Sequence, residues 1–247
     1  MPQAPSILRR LCGYALAAGC MLAQARAADL PPVYINNLAP FAYDDHGVMK
    51  GVIYDLISEI ARRAGTGNTV NPMPFKRITA RLSEHPEALA AVWRQPENEA
   101  NYTWIAKLLD ERMMLVASRD SHVDIASIDA ARHLRAGVVL GSPADVIAHR
   151  LGFEHIEAVA SAESNARKLA AGHIDVWLVV PGVADYGQRR IGSDSSAIRY
   201  GAQVEPVSMY LACAQRCDKT EAARLRAIVD AMTKDGSYAR ILRQYHY

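Results

Sequence analysis

The sequence has no dense basic stretch, no segment beyond residue 27 apolar enough to cross a membrane, no internal repeat and no low-complexity tract. The first absence excludes the phosphate-neutralising patch that nucleic-acid binding requires, and the second excludes a membrane-spanning helix. Eight histidines are scattered without an H-E-x-x-H pair or a recognisable metal-ligand spacing, and no G-x-S-x-G elbow occurs. Asp44-Asp45-His46, the densest titratable cluster, reads as a turn closed by Gly47. The residues therefore point to no metal, no cofactor and no enzymatic chemistry. Cysteine is sparse as well, at four residues. Cys213 and Cys217 are too few ligands for a structural zinc; in an oxidising compartment they either pair across a small loop or stay free, and the spacing alone leaves both open.

What is present begins with an export signal. Arg9 and Arg10 precede the apolar run Leu11–Leu22, and Ala25-Arg26-Ala27 places small residues for cleavage after Ala27. The run is short and interrupted by Gly13 and Gly19, unlike a membrane anchor. Ala17-Ala18-Gly19-Cys20 faintly resembles a lipidation box, but Met21-Leu22-Ala23 is apolar where a polar tether is needed. Removing residues 1–27 takes away three arginines and two cysteines, so the formal charge of +2 falls to about −1. The basicity of the chain belongs to its signal.

The remaining 220 or so residues are enough for one large domain or two of roughly 110. Strand and helix signals alternate, which favours an α/β architecture. Val33–Ile35 reads as a strand. Ile53, Leu56, Ile57, Ile60, Ala61 and Ala64 mark one face of a helix ended by Gly65. A second helix is expected around Arg77–Glu84, and strands at Ala88–Trp93 and Leu108–Ser118. Val138–Leu140 is a strand that turns at Gly141-Ser142-Pro143 into a helix over Ala144–Leu151, with Ser142 as N-cap and Pro143 as N1. Ala166–Ala171 ends a helix at Gly172, Ile174–Val180 is a very apolar strand, and Val207–Ala212 a further one. Asp218 with Glu221 opens a helix whose buried stripe is Ala222, Leu225, Ile228, Val229 and Met232; Gly236 separates it from a terminal helix over Tyr238–Tyr245.

Taken in order, G-V-I-Y-D-L-I-S-E-I-A-R-R-A-G at 51–65, P-F-K-R at 74–77, R-Q-P-E-N-E at 94–99, V-V-L-G-S at 138–142, A-G-H-I-D at 171–175 and D-G-S-Y-A-R-I-L at 235–242 resemble the family 3 extracellular solute-binding proteins, the amino-acid type used by ABC importers. The resemblance implies a two-lobed periplasmic binding protein fold of type II, each lobe a β-sheet flanked by helices. Lobe 1 would hold residues 28–116 and 208–247, and lobe 2 residues 117–207. Two crossing segments near Leu115–Arg119 and Val204–Tyr210 would form the hinge, and closure around a solute is the motion such a design allows.

The same resemblance implies that an arginine takes a ligand carboxylate and an acid takes its ammonium, because a buried charge needs a partner. Here those positions fall on Asn98 and Val180. Arg94 is the candidate replacement for the missing arginine. Ser142 matches a ligand-contacting hydroxyl at a helix N-terminus. Phe41, Tyr43, Phe75, Trp93 and Trp104 lie on or beside the expected cleft loops, and Arg77 and Lys76 are candidates to face it. Asp55 and Asp175 read as structural. The implied function is capture of a small polar or aromatic solute by a periplasmic monomer that serves an ABC transporter permease or another periplasmic or membrane protein. An accessory or sensory protein, and a dehydratase-like enzyme on the same fold, are the alternatives.

Overall fold

The computed structural model describes residues 30–66, 70–215 and 217–247; the expected signal peptide lies outside these. No helix among the described residues is long and apolar enough to cross a membrane.

The fold is built on two 17-residue antiparallel strands, β6 (Tyr102–Ser118) and β10 (Ile198–Ala214). Each spans roughly 55 Å at about 3.3 Å per residue. They pair from Tyr102 against Ala214 to Ser118 against Ile198, with four register shifts along β10. A wing of strands is attached at each end of this ribbon. On one edge, β5 (Leu89–Arg94) pairs antiparallel with residues 208–213 of β10. It carries β1 (Val33–Asn36) and β4 (Val70–Met73) in parallel register. On the other edge, β9 (Val176–Val179) pairs with residues 114–116 of β6. It carries β7 (Arg135–Val139) and β8 (His155–Val159). The eight strands form one sheet in the order β4-β1-β5-β10-β6-β9-β7-β8. Between the two attachment points, Asp110–Met113 and Val204–Val207 run with no third strand beside them.

Helices cover both wings. α1 (Val52–Arg63) buries Val52, Ile53, Leu56, Ile57, Ile60 and Ala61 on the stripe that the 3.6-residue period dictates. No side chain caps its N-terminus. Instead the carbonyl of Pro40 accepts from Val52 N, and that of Phe41 accepts from Ile53 N and Tyr54 N. The preceding loop can approach that closely only because residue 51 is glycine, at φ 129°. A Cβ there would lie 2.3 Å from the Phe41 carbonyl oxygen. The hairpin that completes this loop pairs β2 (Tyr43–Asp45) with β3 (Val48–Lys50). α2 (Phe75–Glu84) starts two residues before the expected Arg77 and packs Ile78 and Leu82 on the other face of the first wing. On the second wing lie α3 (Ile128–Ala131), α4 (Pro143–Arg150), α5 (Ala162–Ala170) and α6 (Pro181–Arg190). α7 (Lys219–Lys234), capped by the Asp218 carboxylate at Thr220 N and Glu221 N, and α8 (Ser237–Gln244) return to the first wing. There the Tyr238 hydroxyl donates to the Leu108 carbonyl and the Tyr245 hydroxyl to the Asp55 carboxylate. Asp55 thus has the structural role the sequence suggests. Cys213 and Cys217 are joined, tying the end of β10 to the approach to α7.

Two stability predictions follow from this framework. Gly51→Ala forces a Cβ into the Phe41 carbonyl at a left-handed φ, so a loss on the order of 3 kcal/mol is expected in urea unfolding; an unchanged midpoint would show that the cap does not need glycine. The second concerns Glu111 in the unsupported stretch of β6. Burial pushes its carboxyl up, against the weaker lowering effect of the Tyr247 hydroxyl beside it and of Arg112. A raised folded-state value means the contribution is full below the unfolded pKa of about 4.3 and is lost as pH rises through the folded one. Glu111→Gln should therefore be more stable than the parent at pH 8 and lose that advantage at pH 4; equal stability differences at both pH values would contradict the burial argument.

Candidate functional site

The inner cavity lies where the two wings face each other over the unsupported ribbon. Its floor is Met113 of β6 and Val207 of β10. One wall comes from the first wing, with Leu38, Phe41, Phe75 and Trp93; the other comes from Val139, Ser142, Trp177, Val179, Val180 and Val183. The cavity measures about 40 Å³. That is room for roughly three waters at about 10–15 Å³ each, so any organic solute enters only when the lobes part. No charged side chain lines it, and the polar side-chain groups on its wall are the Ser142 hydroxyl and the Trp177 indole N–H. Ser142 is 5% exposed, and its oxygen accepts from Asp145 N at 3.4 Å as the N-cap of α4. The Trp177 N–H is buried with no hydrogen-bond partner. Phe41 and Trp93 meet edge to face at 5.3 Å between centroids, which fills the space between β5 and the loop after β1.

Strand alternation decides which neighbours of Trp93 reach this cavity. Leu89, Ala91 and Trp93 face one side of β5, while Ala90 packs into the separate cluster under α2 with Val92 against it, so Arg94 also points that way. Arg94 accordingly lies outside the cavity. Its guanidinium donates to Glu99 at 2.7 Å and sits 5.2 Å from the ring centroids of both Trp104 and Tyr210. The Glu99 hydrogen bond raises its pKa further above the usual arginine range. Trp104 belongs to this outer cluster and not to the cleft.

Asn98 stands on the 3-10 turn Pro96–Asn101 that follows β5. Its carboxamide closes the turn, because Oδ1 accepts from Gln95 N at 2.9 Å and Nδ2 donates to the Trp93 carbonyl at 2.8 Å. An arginine cannot make this clasp, since it has no acceptor. Val180 is the N-cap of α6, where it offers the cavity a side chain with no hydrogen-bonding group.

Two further spaces adjoin the inner cavity. A side chamber of about 230 Å³ lies between Phe75, Lys76, Trp93, Gln95, Glu97, Asn98, Gly141 and Pro143. A wider opening of about 470 Å³, on the opposite side, includes Asn36, Tyr43, Glu163, Tyr186 and Arg190. Tyr43 meets Tyr186 across that opening, with centroids 5.4 Å apart. Of the sequence candidates, Phe41, Phe75, Trp93, Ser142 and Val180 come together at the inner cavity, Asn98 lines the chamber and Tyr43 the opening. Arg94 and Arg77 line none of the three. Of the adjacent pair Lys76 and Arg77, Lys76 is the one that meets the chamber. Met113, Val207 and Trp177 were not singled out by the sequence. The first two carry no signal beyond strand composition, whereas Trp177 could have been suspected from its place three residues before Val180. No cluster of histidine, cysteine or carboxylates able to hold a metal occurs among the described residues.

Closure of the cleft rests partly on Arg150 of α4. It donates to Glu205 of β10 at 2.6 Å and lies 2.8 Å from Glu97 on the turn after β5. Of the two, the Glu97 pair is the one that crosses between lobes, and being partly exposed it contributes roughly 0.5 kcal/mol. That is enough to shift an open–closed equilibrium about twofold. Arg150→Ala is expected to raise the ligand-free radius of gyration in small-angle scattering while moving the urea midpoint little; an unchanged scattering profile would remove the closing role.

Comparison with known proteins agrees with this geometry. The profile of the bacterial extracellular solute-binding proteins, family 3, matches residues 33–247. Among curated proteins none matches the sequence. Similar solved structures include a histidine kinase sensor domain with similarity to periplasmic binding proteins, at TM-score 0.78 and 17% identity over 90% of this chain and 98% of that one. An ancestral arginine-binding protein bound to arginine gives 0.75 and 16%, over 88% and 99%. The ancestral amino acid-binding protein described as a precursor of cyclohexadienyl dehydratase gives 0.75 and 16%, over 88% and 95%. At these identities the structures establish the fold, that of a two-lobed periplasmic binding protein. The chain belongs to the bacterial extracellular solute-binding proteins, family 3.

Proposed function

We propose that this protein is a periplasmic solute-binding protein whose lobes close on a small solute with an apolar or aromatic body and no ammonium group, and that it hands this solute to an ABC importer. The observation that carries the reading is the inner cavity, whose walls hold Phe41, Phe75, Trp93, Trp177 and Val180 and no charged side chain. A zwitterion closed into it would leave its ammonium desolvated and unpaired, which is costly enough to exclude it. Six of the candidates named from the sequence divide accordingly. Phe41, Trp93, Ser142 and Val180 are proposed as direct contacts, Asn98 as the clasp that holds Trp93 in place, and Tyr43 as a gate residue with Tyr186. Lobe 1 is taken as residues 28–116 with 208–247 and lobe 2 as 117–207; the attachment of β5 at 208–213 supports the second bound, whereas the pairing of β9 with 114–116 favours a first crossing a few residues before 116.

Capture without turnover fits the wall chemistry, since no acid–base pair lines the inner cavity among the described residues. A sensory role is the second reading. It is favoured by the small cavity, by the Arg150 contact with Glu97 that holds the cleft shut without a solute, and by the likeness to a kinase sensor domain.

A thermal-shift panel separates these readings, because a ligand that binds only the folded form raises Tm. Phenylacetamide and indole are expected to raise it, and L-amino acids to leave it unchanged. A clear shift with several L-amino acids would sink the proposal; silence across the panel would move the sensory reading to the front.

A further inference from the structure

We infer that the side chamber is an anion subsite, and that the solute carries a carboxylate held there by Lys76 and the Gln95 carboxamide. This deepens the reading just given and rests on it. The chamber shares Phe75, Trp93 and Pro143 with the inner cavity, so one ligand can place its body against the aromatic rings and its polar end beside Lys76.

Three observations converge on negative charge. Gln95 is 8% exposed, and its Nε2 is buried with no hydrogen-bond partner while its side-chain oxygen accepts within the turn. A buried donor left unpaired is destabilising, and a ligand acceptor would remove that cost. Lys76 is exposed and makes no ion pair or hydrogen bond among the described residues. Its stem lies over the opposite lobe, where a Cβ on Gly141 would come within 3.2 Å of Lys76 Cγ. The first turns of α2 and α4 also open onto the chamber, through Phe75 and Lys76 and through Pro143. The N-terminus of α2 has no side-chain cap, so its partial positive charge adds to that of Lys76.

Two carboxylates bear on this field. Among the described residues Glu97 is the one on the chamber wall, and Arg150 holds it at 2.8 Å; Asp145, in the first turn of α4, accepts from Gly141 N at 2.7 Å and offsets that helix's end, so the uncapped α2 and Lys76 carry the positive potential. The chamber's 230 Å³ is below the ~300 Å³ at which drug-sized sites begin, so the ligand is small. Its class is an aromatic or branched monocarboxylate lacking an amino group. Lys76 reaches from α2, so its cation arrives from a different element than the turn that carries Asn98, and it lies where Lys76→Met leaves the Asn98 clasp untouched.

The test is calorimetric titration of phenylacetate and phenylacetamide, two probes that differ in charge and little in shape, into the parent, Lys76→Met and Lys76→Arg. The parent should bind phenylacetate about tenfold or more tightly than phenylacetamide. Lys76→Met should abolish that preference by weakening phenylacetate about tenfold or more relative to the amide, and Lys76→Arg should retain it. Equal affinities in the parent, or a preference that survives Lys76→Met, would overturn the anion subsite alone. Binding of neither probe would overturn the subsite together with the apolar-cleft reading beneath it.

Discussion

Everything in this molecule hangs on the antiparallel ladder between β6 and β10. Each strand continues from one lobe into the other, so the lobes share a backbone hydrogen-bond network where most two-domain chains share only a linker. The wings attach at opposite ends and on opposite edges, and the stretch between them is supported by nothing but its own pairing. Two register shifts put extra residues on β10, between Tyr200 and Glu205, and two put them on β6, between Trp104 and Leu109, and a bulged ladder bends more readily than a regular one. The same stretch supplies Met113 and Val207 to the cavity floor. A change in the bend therefore alters the volume of the cleft directly, which links backbone mechanics to ligand capture without any intermediary.

The chemistry of the cleft follows from what a closed, nearly dry space tolerates. In a low dielectric an unmatched charge is prohibitive and an apolar contact is favourable, which is why the proposal excludes zwitterions from a wall of Phe41, Trp93 and Val180. Asn98 fits this logic in a way its composition does not reveal. Its two hydrogen bonds lock the turn against Trp93 and so help to hold the indole in the cleft. Where positive potential survives, in the side chamber, it comes from the uncapped end of α2 and one lysine.

Much of the fold was legible in the sequence because its signals are local. The stripe of α1, the Ser142-Pro143 start of α4 and the Asp218 cap of α7 are each set by residues within one or two turns. The full lengths of β6 and β10 were not legible. Their outer halves mix apolar and polar residues, and the register shifts break the two-residue alternation that marks a strand. α6 was hidden for a related reason, since Pro181-Gly182 at its start resembles a turn. In the site, the absence of charge at positions 98 and 180 could be read directly. Arg94 as a substitute could not be judged without knowing which face of β5 it occupies, which the strand's pairing determines. The choice between Lys76 and Arg77 depends on the rotation of α2, and Trp177 reaches the cleft through a tertiary contact that no local pattern encodes.

The central claim is that an apolar cleft, and not a zwitterion clamp, holds the solute. The most direct measurement is a crystal structure grown with saturating phenylacetamide. The account predicts density for the ring between Phe75, Trp93 and Val180, with the lobes closed around it and no charged side chain in contact with the ring. Density only outside the cleft, or an L-amino acid from the medium retained in the cleft with its ammonium paired to a carboxylate, would contradict it.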